Sequence, residues 1–438
     1  MSAQRRAGPS VTLLVVWAVW GAFSAAALLA ARSGPNIPVG QDWRMVSAVT
    51  GHEPEAVHWL WHQDGNDRHP AGRAITVAVI SAARDFRAAS VLAVLGLVAL
   101  SGLLIRASRR ARGGVRLADI FFPAILLQPA TRDLAPSVLL MSVIPLALGG
   151  IILLAVLSDP TLRTRRWSLL TALSMVTLPL TGLAGILVAA AAAPWMAACG
   201  WRHWPPREQG VPTDAGPALL SFIFVAIVVT GMVFSDYDFS GWSDPALDRG
   251  RLVLRTGSAL AGALGPLAAG RWELVAGILT GLVAATCMVL VVAGHRAHDA
   301  ERYRTLGLAC MLAAGWLAVM MSAWGFAALL LCVVFHVWER YGRPVASVAV
   351  QAGLLVAGLA VVPANLEAMR RQRAEVSSAA LALARDVAAG LPRDSIAARY
   401  QPLLMPGGGA ADLAGGIALV SDARIGLLGQ LPAGSSGR

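Results

Sequence analysis

The chain has 438 residues, of which 56% are hydrophobic and only 14% charged. So few ionic groups cannot cover soluble domains of that size, which leaves a polytopic membrane protein. The formal charge is +11 and all 36 basic residues are Arg, so Schiff-base and P-loop chemistry lose their usual lysine.

The arginines sit between apolar runs, which assigns the charge excess to membrane loops and gives nucleic acid no part as a partner. The first run, 11–31, is long enough to cross a hydrocarbon core of roughly 30 Å. Arg5 and Arg6 precede it and the flank Ser33-Gly34-Pro35-Asn36 is a poor cleavage site, so it reads as an uncleaved span with the N-terminus in the cytoplasm. An external loop follows over about 33–87, and 88–105 crosses back to Arg106, Arg109, Arg110, Arg112 and Arg116, a cytoplasmic marker. The run 117–127 is too short to span, and 136–157 returns to a second cluster, Arg163, Arg165 and Arg166. Residues 168–198, interrupted at Pro179-Leu180-Thr181-Gly182, predict a hairpin or a broken helix.

Residues 201–215 read as cytoplasmic, 216–234 as an outward span, and 235–249 as an external loop. A pair of spans, 252–270 and 272–294, then places 295–304 outside. Residues 305–337, broken at Ser322–Gly325, count as one span or two, and 344–362 is the last. The expectation is an all-α membrane domain over 1–362 with 11 or 12 transmembrane helices, in a bacterial cytoplasmic membrane. The tail, 363–438, reads as helical to about Ala389, then Gly-rich, with a disordered end; its side stays open, the external one preferred. Cys199, Cys287, Cys310 and Cys332 lack C-x-x-C spacing and read as packing residues.

The external loop holds four of the eight His, six acids, and Trp43, Trp59 and Trp61, more than a connector needs. Asp42, about ten residues past the first span, is placed to act as a general base on a lipid-borne substrate; the plainer reading is a solvated acid beside Arg44. His58 and His62 are four apart, with Glu55 one turn earlier, which makes either a metal site or surface histidines. Asp236-Tyr237-Asp238 has the D-x-D spacing by which paired carboxylates can hold a divalent ion. Arg302 and Arg304 flank Tyr303 at the start of a span, where guanidinium groups suit a phosphate or a lipid headgroup. Arg132 and Asp133 lie near the bilayer, where charge favours a lumen or cavity position.

Four places resemble the GT-C superfamily of polytopic glycosyltransferases, and more closely a group of uncharacterised bacterial membrane proteins related to it. Gln41-Asp42-Trp43 is similar to the acidic position of that superfamily's first external loop. The stretch Trp61-His62-Gln63-Asp64-Gly65-Asn66-Asp67-Arg68-His69-Pro70, followed by Arg73, is similar to a Trp, Gln, Asn, acid, basic, Pro-flanked pattern, with an insertion and with Asp64 where the pattern has His. Gln128 with Arg132-Asp133 resembles the next external turn, and Arg302-Tyr303-Arg304-Thr305 an Arg-Tyr-x-Thr signature.

The resemblance implies transfer of a sugar from a polyprenyl-phosphate donor to an envelope glycan, lipid or protein, outside the cytoplasm. Asp42 would take the acceptor proton and Arg304 or Arg302 would stabilise the departing phosphate. Gln63, Asp67, Arg68, His69, Arg73, Arg132 and Tyr303 would complete the substrate site. No tightly bound cofactor is implied, with a divalent ion at Asp236 and Asp238 or at His58 and His62 as an option. The alternatives are a transporter or flippase of a lipid or small solute, and a noncatalytic envelope-assembly protein.

Overall fold

The computed structural model describes residues 11–64, 67–128, 135–202, 215–238, 249–262, 264, 265, 268, 270–320 and 324–430. Its main helices are α1 (Val11–Ser33), α2 (Pro70–Ala83), α3 (Arg87–Arg112), α4 (Pro136–Ser158), α5 (Arg165–Thr177), α6 (Leu183–Arg202), α7 (Ala215–Phe234) and α8 (Arg249–Gly262). They continue with α9 (Trp272–Arg296), α10 (Asp299–Met320), α11 (Trp324–Tyr341), α12 (Pro344–Ala360), α13 (Val362–Ala388), α14 (Arg393–Leu404) and α15 (Ala410–Asp422). Among the described residues eight helices are long and apolar enough to cross a membrane. The last of them runs from Pro344 to Ala388, with a single turn residue, Val361, between α12 and α13. Of the remaining helices, α5 and α8 have 13 and 14 residues, and α11 has 18.

The apolar residues are distributed as a lipid solvent demands. From Phe326 to Val337, α11 is hydrophobic on nearly every side and buried throughout, so it forms the central post of the bundle. By contrast α7 and α9 expose Phe224, Ile227, Ile278 and Met288, which fits helices whose outer faces meet acyl chains. Close packing depends on glycine where α3 meets α4: a Cβ on Gly150 would run into the Leu100 side chain.

Side-chain contacts sort the helix ends into two faces. The loop between α1 and α3 meets the starts of α4 and α6 and the end of α7, through Asp42 to Ser137, Asp67 to Leu183 and Arg68 to Val233. The opposite face carries the arginine clusters and joins the end of α3 to the end of α11 through Arg112 and Glu339, and α11 to the start of α10 through Arg340 and Glu301. Residues 295–304 therefore lie on the arginine face and not beside the first loop, which corrects the expected alternation. The reason is α8, whose 14 residues reach only about 21 Å and do not supply the full crossing read into 252–270.

The helix that starts at Pro344 on the arginine face emerges on the first-loop face and continues as α13. Arg373 donates to the Ala30 carbonyl, and Leu427 and Gly426 donate their N–H groups to the carbonyls of Asn36 (2.7 Å) and Arg84 (3.2 Å). Gly416 of α15 lies against the Trp43 ring, where a Cβ would come within 2.8 Å. Residues 363–430 thus pack as a helical cap on the first loop. Their Gly407–Gly409 stretch, within the part expected to be Gly-rich, separates α14 from α15.

Candidate functional site

The first loop is held by backbone-directed polar side chains. Asp42 sits in a 3-10 turn, Gly40–Met45, and its carboxylate accepts the Val39 N–H at 3.2 Å. Its other oxygen accepts both the Ser137 N–H at 2.9 Å and the Ser137 hydroxyl. Pro136 opens α4 without an N–H, so Ser137 offers the first free donor of that helix, and the carboxylate faces its positive end. Asp42 is 0% exposed. The arginine expected to pair with it, Arg44, bonds instead to Asp64 at 2.8 Å.

Burial pushes the Asp42 carboxyl up from 3.8 to about 6, against the opposing effect of the Ser137 and Val39 bonds. Between those two values the folded chain keeps a proton that the unfolded chain has released. The contribution of Asp42 to stability therefore falls as pH rises through that window, by on the order of 3 kcal/mol, and is level above it. Asn at position 42 keeps an acceptor for Ser137 and cannot ionise. Thermal unfolding of wild type and Asp42→Asn, compared from pH 4 to pH 8, should show the variant gaining on wild type until about pH 6 and no further. A constant gap would remove the buried-carboxylate account.

Asp67 is a partly accessible acid of the loop. One of its oxygens accepts the N–H of Leu183, at the start of α6, at 2.7 Å and that of Arg68 at 2.9 Å. The other lies 3.3 Å from His69 Nε2, with the two side chains 33% and 29% exposed. His69 Nδ1 is 2.7 Å from the Thr181 carbonyl, which can only accept, so Nδ1 carries a proton and Nε2 is the ring nitrogen that faces Asp67. Burial raises the Asp67 pKa, and His69 opposes the shift. Gly182, at φ +105°, makes the arrangement possible: a Cβ there would stand 2.5 Å from His69 Nδ1 and 2.6 Å from the Asp67 carboxylate. The break read at 179–182 is therefore the floor of this pair. Thr181, Gly182, Leu183 and Ser137 contribute to it or to Asp42, and sequence reasoning missed all four as site residues. The isolated glycine inside an apolar run was the only local signal.

The other expected loop residues bind backbone. Arg68 donates to the carbonyls of Val233 (3.1 Å), Ser235 (2.6 Å) and Asp236 (2.7 Å), and so caps the end of α7. Arg73 donates to Trp59 (2.8 Å) and His62 (2.6 Å) at the end of the short helix Ala56–Trp61 and lies 5.3 Å over the Trp59 ring. Gln63 exchanges two 2.9 Å bonds with the backbone of Asp238. Gln128 is buried on the apolar side, where it donates to Gly358 at 3.0 Å and accepts from Asn365 at 3.1 Å.

His58 and His62 have ring centroids 6.3 Å apart, and Asp236 and Asp238 are exposed. Among the described residues no three His, Cys, Asp or Glu gather where they could hold a metal ion. Arg132 and Asp133 lie outside the described residues. Arg302, Tyr303 and Arg304 are on the arginine face, separated from Asp42 by the length of α3, whose 26 residues measure roughly 39 Å. The structure therefore brings together Gln63, Asp67, Arg68, His69, Arg73 and the backbone of 236–238, and does not bring Asp42 or Asp67 to Arg302 and Arg304.

No protein-family model, curated protein or solved structure matches the chain. It is an all-α, multi-spanning membrane protein.

Proposed function

We propose that the protein is a membrane-embedded glycosyltransferase whose reaction takes place at the first-loop face, with a lipid-phosphate sugar as donor and an envelope glycan, lipid or protein as acceptor. The Asp67–His69 pair carries this reading: it joins a carboxylate and an imidazole in direct contact, a third exposed, on a rigid loop beside lipid-facing helices. Asp67 removes the proton of the acceptor hydroxyl as its oxygen bonds to the anomeric carbon, and the phosphate oxygen of the donor leaves with the electron pair of the broken bond. Arg44, half exposed and using one N–H for Asp64, is a guanidinium of this face available to a phosphate oxygen. Asp42 positions the loop on α4.

The five arginines over 106–116 and the three over 163–166 support an orientation with the arginine face in the cytoplasm and the first loop and the cap outside, in a bacterial cytoplasmic membrane. Cysteine at the exposed position Glu55 should react with an impermeant maleimide in intact cells, above the background of the native cysteines. Cysteine at Arg110 should react only after permeabilisation. The reverse pattern would invert the topology and remove an extracytoplasmic reaction. Catalysis is tested by transfer of a labelled polyprenyl-phosphate sugar to membrane acceptors by purified protein; solute uptake in vesicles without any transfer would favour a transporter.

A further inference from the structure

On the arginine face, the end of α6, the start of α10 and the end of α11 gather more positive charge than they neutralise. Arg304 and Arg340 both bond to the Glu301 carboxylate, which also accepts the Tyr341 hydroxyl at 2.7 Å. Two guanidinium groups thus share one negative charge. Each has five N–H donors; Arg304 uses Nη1 and Arg340 uses Nε and Nη2, so other donors of both have no partner among the described residues. Arg202 adds a guanidinium 5.0 Å over the Tyr303 ring. The side chain of Arg302 is exposed and makes no hydrogen bond or ion pair with a described residue. Tyr303, under Arg202, and Tyr341, bonded to Glu301, belong to the cluster, as aromatic residues do at the headgroup level of a bilayer.

We propose that Arg202, Arg302, Arg304 and Arg340 form a phosphate-binding site at the membrane surface opposite the first loop. A phosphate oxyanion supplies the charge that Glu301 leaves uncompensated, and its oxygens match the planar fork of arginine. The site is independent of the transfer reaction, because it lies across the bilayer from Asp67. The same chemistry is offered by the headgroup of an anionic phospholipid and by free phosphate.

The two sources separate in nanodiscs. Lipid retention is read by native mass spectrometry in phosphatidylcholine discs with and without phosphatidylglycerol, and inorganic phosphate is titrated calorimetrically into the phosphatidylcholine discs. Selective retention of phosphatidylglycerol identifies a headgroup site; phosphate binding in its absence identifies a soluble ligand. In either case Arg304→Gln with Arg340→Gln should weaken binding about tenfold or more, and Glu301→Gln, which removes the competing carboxylate, should strengthen it. Arg302→Gln with Arg202→Gln removes no ion pair between described residues. It should weaken binding a few-fold without a change in thermal unfolding, so loss of fold cannot account for the result. No selective retention and no phosphate binding by wild type would overturn the site, as would equal binding by wild type and both double variants.

Discussion

Asp67→Asn should lower sugar transfer by about a hundred- to ten-thousandfold, the usual contribution of a positioned general base, while the protein still folds. Asparagine retains a carbonyl oxygen for the Leu183 and Arg68 N–H groups, so the tie between the first loop and α6 survives. Its amide cannot accept a proton, and its NH₂ turns toward His69 Nε2, which then becomes an acceptor. The loss should fall on kcat, because the acceptor hydroxyl is still bound.

The pH dependence supplies a second readout. Burial raises the Asp67 pKa, so the base is lost, and transfer with it, at a higher pH than an ordinary carboxylate would allow as acid is added. Asp42→Asn, measured beside it, should keep most of the activity, since that carboxylate is fully enclosed and touches Ser137 and Val39. Full transfer by folded Asp67→Asn would remove Asp67 as the base. Loss of transfer in folded Asp42→Asn alone would return the role to Asp42.

Arg112→Met should be the most destabilising single change on the arginine face. Arg112 is 11% exposed and donates to both oxygens of Asp119, at 2.6 and 2.7 Å, and lies 2.8 Å from Glu339; these carboxylates are 0% and 7% exposed. The cluster ties the end of α3 to the turn Leu117–Ile120 and to α11, where His336 Nδ1 stands 3.3 Å from Glu339 and 3.4 Å from the Ser108 hydroxyl. Methionine fills much of the same volume but leaves two buried carboxylates without a cation, a change that costs about 3–5 kcal/mol. Thermal unfolding in detergent should register it as a large drop in midpoint, and adding Asp119→Asn and Glu339→Gln to Arg112→Met should recover much of the loss. A midpoint within about a degree of wild type would mean that the cluster is solvated and contributes little.

Much of the architecture was legible in the residues. Apolar runs near twenty residues, bounded by arginine clusters, reported α1, α3, α4, α6, α7 and α9 because partition into hydrocarbon depends on local composition. The helix to about Ala389 and the break at Pro179–Gly182 were also visible, since proline and glycine act on the backbone where they stand. The sidedness of 295–304 was not. It turned on whether 252–270 crosses, and hydropathy cannot distinguish a short buried helix from a spanning one.

Composition and charge pattern alone determined that the chain is an all-α membrane protein and that its first loop is unusually rich in chemistry, because burial preference is a property of each segment. Only the tertiary structure decided which of those polar groups reach solvent. Asp42 and Asp67 occupy the same loop, yet one is sealed by Ser137, 95 positions along the chain, and the other meets His69 at a surface built by Leu183, 116 positions along. Two of the arginines expected at the substrate site, Arg68 and Arg73, also hold carbonyls at helix ends. A hydrogen bond joins particular atoms within about 3 Å, and no local pattern records which distant donor packing will bring to that distance.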